Sequence, residues 1–83
     1  MTTLSSLFAA APGGVMTDEV GVITGDLELC TELSDDGKLR ALVRYEGAEE
    51  WYAITGASCV LADPRDHEQV HSLLHGLLHR PEG

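Results

Sequence analysis

The segment from Leu27 to Tyr45 limits the fold more than any other part of the chain. Two runs, Leu27-Glu28-Leu29-Cys30-Thr31-Glu32-Leu33 and Leu39-Arg40-Ala41-Leu42-Val43-Arg44-Tyr45, flank the cluster Ser34-Asp35-Asp36-Gly37-Lys38. Apolar residues recur at every second position, the mark of a half-buried strand, and the cluster between them has the composition of a turn. Parity selects the register. A two-residue loop at Asp36-Gly37 would set Leu33 against Arg40, an apolar residue against a charge. A three-residue loop, Asp35-Asp36-Gly37 with Gly37 left-handed, sets Ser34 against Lys38 and Leu33 against Leu39. One face then carries Leu27, Leu29, Leu33, Leu39, Ala41, Val43 and Tyr45. On the other face Glu32 meets Arg40 and Glu28 meets Arg44. A slip of one residue would turn every side chain to the wrong face, so the three-residue loop is expected.

The flanking segments are read by the same rules. Residues 20–24 form a preceding strand, and Gly25-Asp26 is either a tight turn or a kink in one longer strand. After the hairpin, Glu46-Gly47-Ala48-Glu49 places glycine at the first central position of a type II′ turn. Tyr45 then pairs with Glu50, and a strand over residues 50–55 turns Tyr52 and Ile54 to the core and Trp51, Ala53 and Thr55 outward. Gly56-Ala57 is read as a reversal into a short strand over residues 58–62. Asp63 suits a helix N-cap, Pro64 the first helical position and Asp66 the capping box, while Pro81 ends the helix. Val70, Leu73, Leu74, Leu77 and Leu78 form the stripe expected to cover the sheet. Leu4, Leu7, Phe8 and Ala11 fall at helical spacing and predict a short N-terminal helix, broken by Pro12-Gly13-Gly14 and followed by a tether over 15–19. The expected fold is α+β: one domain over 1–83, with an N-terminal segment and tether at 1–19, an antiparallel β-meander of three to five strands at 20–62, and one C-terminal amphipathic helix at 63–80 packed on one face.

Charge narrows the classes of partner. Fourteen acidic residues against five basic ones give a net charge of −9. Nucleic-acid phosphates and anionic lipid both need clustered Lys and Arg, so neither is the expected partner. A basic protein, or a site that normally takes nucleic acid, is compatible with this charge. Cys30 and Cys59 form no C-x-x-C pair, and neither a signal peptide nor a membrane-spanning run is visible, so cytoplasmic localisation with reduced thiols is expected. Size and acidity resemble an acyl carrier protein, but there is no Asp-Ser-Leu attachment site and the hairpins do not suit a helical bundle.

Two constellations remain. His67, His71, His75 and His79 recur at every fourth position of the C-terminal helix. Such a row drifts by ~40° per step, so that His67 borders the leucine stripe and His79 lies nearly opposite it. Histidines at i and i+4 can chelate a metal ion. The other readings are a solvated helix face beside the C-terminal dipole and a pH switch. No G-x-S-x-G, no phosphate-cradling loop and no motif joining a serine or cysteine to these histidines is present, so neither catalytic residues nor a cofactor are expected. The second constellation is the outer sheet face. Cys30, Leu42, Trp51 and Ala53 are ringed there by Glu28, Glu32, Arg40 and Arg44, with Ile23 and Val60 at the margin. An apolar centre with a charged rim is the anatomy of an interaction site, and Trp and Arg are frequent hot spots. Trp51 opposite Arg44 permits a cation–π contact. Either the N-terminal segment folds back over this face through Leu4, Leu7 and Phe8, or a partner covers it. The expected function is that of a small non-enzymatic regulatory or adaptor protein, acting by protein–protein contact and self-associating as a homodimer. The alternatives are a metal-binding protein using the histidine row and an acidic decoy of a nucleic-acid-binding protein.

Overall fold

The computed structural model describes residues 1–79; Pro81, read as the helix stop, lies outside them. The strands are β1 (Thr2–Ala9), β2 (Val15–Thr17), β3 (Gly21–Ile23), β4 (Asp26–Leu33), β5 (Lys38–Tyr45) and β6 (Tyr52–Val60). A 3-10 turn at Pro64–Asp66 leads into one helix, α1 (His67–Leu78). The fold is α+β. The strands form one antiparallel sheet in the order β1-β4-β5-β6-β2-β3, six rather than three to five.

The β4–β5 hairpin has the three-residue-loop register: Leu33 pairs with Leu39, Glu32 with Arg40 and Glu28 with Arg44. Ser34 N–H donates to the Lys38 carbonyl at 2.9 Å, and Gly37 supplies the left-handed residue with φ of 88°. Leu27, Leu29, Ala41 and Val43 are fully enclosed on the inner face. Burying each of the larger side chains contributes ~1.5–3 kcal/mol. Tyr45, expected inside, lies at the end of β5 and stays largely exposed.

Four sequence expectations are corrected. Residues 1–11 hold a strand rather than a helix: β1 pairs along its whole length with β4, from Thr2 opposite Leu33 to Ala9 opposite Asp26. A helix this short is marginal alone, whereas pairing with the open side of β4 along its whole length hydrogen-bonds the main chain of every second residue. The tether contains β2, which pairs with β3 and touches β6 at Thr17 opposite Ile54. Gly56-Ala57 does not reverse the chain. β6 runs on, and five steps from Ala53 to Ser58 face two steps from Leu42 to Arg40, a bulge at which Gly56 adopts φ of 76°. Finally, Gly47 is the third rather than the second residue of its turn, since Ala48 N–H donates to the Tyr45 carbonyl at 2.9 Å.

The connections force the sheet to roll. β4 and β3 stand four strand spacings apart in the sheet, ~19 Å if it were flat. Yet only three residue steps, through Thr24 and Gly25, lead from Ile23 to Asp26, a link of ~11 Å at most. Thr24-Gly25 is therefore a kink between strands that do not pair with each other. Val15 and Ile23 swing in to join Phe8, Ala10, Leu27, Leu29, Ala41 and Val43 in a single core. Ala10 N–H closes the seam by donating to the Gly25 carbonyl at 2.9 Å. Helix α1 lies over the inner face at the β1–β4 side. Among the described residues no helix is long and apolar enough to cross a membrane.

Candidate interaction surface

Helix α1 is rotated away from the expected docking. Asp63 does cap, its carboxylate accepting from Arg65 N–H at 2.9 Å, but Asp66 makes no capping bond. The residues buried on the helix are His67 and His71, at 3% and 7% exposure, while Leu73 and Leu77 face outward at 63% and 72%. Leu74 and Leu78 pack on the core from the helix margin. The reason is polar. The inner rows of β1 and β4 present Ser6 and Thr31, and buried hydroxyls require hydrogen-bond partners. Thr31 Oγ1 lies 2.8 Å from His67 Nε2 and 2.8 Å from His71 Nδ1, and Ser6 Oγ lies 2.7 Å from His71 Nε2. His75 Nε2 donates to the Leu7 carbonyl at 3.0 Å, and Ala9 N–H donates to His79 Nδ1 at 3.2 Å. The last two bonds fall on the outer edge of β1, whose main chain no further strand pairs among the described residues. They close part of an edge that would otherwise invite strand addition.

The histidine row is thus a helix-to-sheet fastening rather than a solvated face. Thr31 has one hydroxyl proton, so at least one of its two imidazole neighbours must donate to it. The tautomers of His67 and His71 are coupled through that hydroxyl, and His67 Nδ1 has no hydrogen-bond partner among the described residues. Burial, and then the neighbouring His67 and His75, hold His71 below the ordinary histidine range. Among the described residues no group of three or more His, Cys, Asp or Glu is placed to hold a metal ion. Ser6 and His71 stand at the spacing of a nucleophile and its base, a link that no sequence motif signalled. The neighbouring cavity of about 330 Å³, lined by Leu4, Leu33, Arg65 and His67 among others, reaches neither Ser6 nor His71.

The opposite face carries the second constellation, and all eight of its expected residues fall there together. The pairings arrange that face in three rows across β1, β4, β5 and β6. The first row is Leu7, Glu28 and Arg44, continued by Trp51, which immediately precedes β6 and lies against Arg44; the second is Ser5, Cys30, Leu42 and Ala53; the third is Thr3, Glu32, Arg40 and Ser58. Glu28 accepts from Arg44 at 2.8 Å and Glu32 from Arg40 at 2.7 Å. The Arg44 guanidinium lies 4.4 Å from the Trp51 ring centroid, the expected cation–π contact. Together these side chains close over the middle of the array, leaving Cys30 and Leu42 only 7% and 9% exposed. Burial pushes the Cys30 thiol above its ordinary range, the reverse of an activated nucleophile.

Neither helix nor N-terminal segment covers this face. Phe8 points into the core, while Leu7 sits on the array itself, exposed. Two acidic residues balance two basic ones, so the array is neutral on a chain of net charge −9. A cavity of about 420 Å³ opens at its third-row end, between Glu32, Lys38, Arg40, Ser58 and Val60. Sequence reasoning missed Leu7 as a member of the surface, because helical spacing assigned it to the same side as Phe8. Compared with known proteins, the chain matches no family model, no curated protein and no solved structure.

Proposed function

We propose that this chain is a small non-enzymatic regulatory or adaptor protein that acts by protein–protein contact through the outer face of its sheet. The observation that carries this reading is the neutral array around Trp51, part apolar and uncovered by any other element among the described residues, on an otherwise strongly acidic molecule. Charge elsewhere favours solubility, and a neutral face removes the electrostatic obstacle to close approach at one place. Trp51 and Arg44, held against each other in advance, lose little side-chain freedom when a partner arrives. The test is cross-linking of the tagged chain in its native cell. A discrete adduct that is lost in Trp51→Ala and kept in Leu77→Asp supports the reading. An adduct unchanged in Trp51→Ala, or lost only in Leu77→Asp, contradicts it and moves the contact to the exposed side of α1.

A further inference from the structure

The outer array has a symmetry that selects its partner. Across each row the residue types mirror in kind from left to right. The first row runs large apolar, acid, base, large apolar, as Leu7, Glu28, Arg44 and Trp51. In the third row the inner pair is again acid then base, Glu32 and Arg40. In the second it is Cys30 and Leu42. A two-fold axis parallel to the strands, midway between β4 and β5, would set β4 of one copy over β5 of the other and β1 over β6, without shifting the rows. Each exposed contact would then be complementary: Glu28 over Arg44, Glu32 over Arg40, and Leu7 over Trp51, with Cys30 and Leu42 enclosed beneath them. The same patch would be used twice, as an isologous interface requires.

We propose that the partner on the outer face is a second copy of this chain, docked about that axis. The proposal rests on the reading that this face is the contact surface. Three features of the array favour it. Each arginine already holds a glutamate of its own chain, and a guanidinium has five N–H donors, so it can accept a second carboxylate across the interface without releasing the first. The largest apolar side chains, Leu7 and Trp51, occupy the outer columns, where a bent sheet falls away from its neighbour and only long side chains can bridge the gap. Small side chains stand beside them in the second row, with Ser5 and Ala53 in those same columns. Finally, the balanced charge lets two chains of net charge −9 meet where neither presents its excess.

Sedimentation equilibrium on the purified chain tests this. The wild type is expected at the mass of two chains. Leu7→Asp, a change at an exposed position that leaves the core untouched, and Trp51→Ala are each expected at the mass of one. Leu77→Asp is expected to remain at two. A one-chain mass for the wild type up to millimolar concentration overturns the proposal, as does a two-chain mass unchanged in Leu7→Asp. A one-chain wild type whose cellular adduct still depends on Trp51 removes the second copy as partner and leaves the outer face as the contact surface. A two-chain mass lost in Leu77→Asp but kept in Leu7→Asp removes both.

Discussion

Replacing Thr31 by Val removes one oxygen from the middle of the helix-to-sheet fastening and leaves the backbone and nearly all of the side-chain shape. Thr31 has no solvent exposure, and its hydroxyl serves His67 and His71 at once, each at 2.8 Å. Two hydrogen bonds disappear. His71 can turn its single proton toward Ser6, but His67 then has a polar ring with neither nitrogen bonded, since its Nδ1 already lacks a partner among the described residues. Stranding a buried polar group costs ~1–3 kcal/mol, and two lost bonds add to that, so ~2–4 kcal/mol is expected in total. For a domain this small the total stability lies near the lower end of ~5–15 kcal/mol. Urea unfolding followed by the fluorescence of Trp51, the single tryptophan, reads the change directly. With a urea slope of ~1 kcal/mol/M the midpoint falls by ~2–4 M, or the variant is unfolded at the start. Thr31→Ser keeps the hydroxyl and loses a methyl, for ~1 kcal/mol. A Val variant as stable as wild type, or a Ser variant as damaged as the Val variant, would refute the reasoning.

Three further outcomes follow from the same geometry. A Cβ on Gly14 would meet Val22 Cγ1 at 2.5 Å and the Ile23 carbonyl oxygen at 2.7 Å, at a φ of 75°. Gly14→Ala should therefore cost at least ~2 kcal/mol, whereas Gly56→Ala, equally left-handed but in open space, should cost only ~1 kcal/mol in thermal melts. Leu77→Ala should change stability by less than ~0.5 kcal/mol, because Leu77 faces solvent. Leu74→Ala, which removes a contact with the core, should cost more, ~1–2 kcal/mol; equal effects would place α1 in the wrong rotation. Acid should destabilise the fold above the carboxylate range. His71 titrates below its ordinary value when folded, so the unfolded chain takes the proton first, near pH ~6.5. Its contribution is complete above that pH and is lost as pH falls through the folded value, by up to ~1.4 kcal/mol per unit. Stability constant from pH 7 to 5, or a His71→Gln variant with the same pH profile, would contradict this.

The central hairpin was legible because each of its signals agrees: alternation, turn chemistry and charge pairing select a single register. The outer face followed from that register, down to the contact of Arg44 with Trp51. The two larger misreadings, β1 as a helix and α1 turned by its leucines, share one physical cause. Ser6, Thr31, His67 and His71 occupy inward positions and hydrogen-bond with one another there. A serine in the inner row of β1 breaks its alternation, so that the helical spacing of Leu4, Leu7 and Phe8 is the stronger pattern. Histidines on the inner side of α1 make the leucine stripe look like the buried face. Polar residues that pair in space but lie 65 positions apart leave no local trace, and hydrophobic periodicity reads them as surface. β2 and β3 were obscured by their length, three residues each, too short for a period to show.

The most direct measurement is a nuclear Overhauser spectrum of the assembled protein, examined for contacts between the Leu7 methyls and the Trp51 indole. Within one chain their main chains stand three strand spacings apart, ~14 Å, with Glu28 and Arg44 between the two side chains. Across the proposed two-fold axis they touch. Cross-peaks between Leu7 and Trp51 that fade on dilution are the predicted result. Their absence in a sample sedimenting as two chains, with Leu73 and Leu77 showing intermolecular contacts instead, would contradict the outer-face interface.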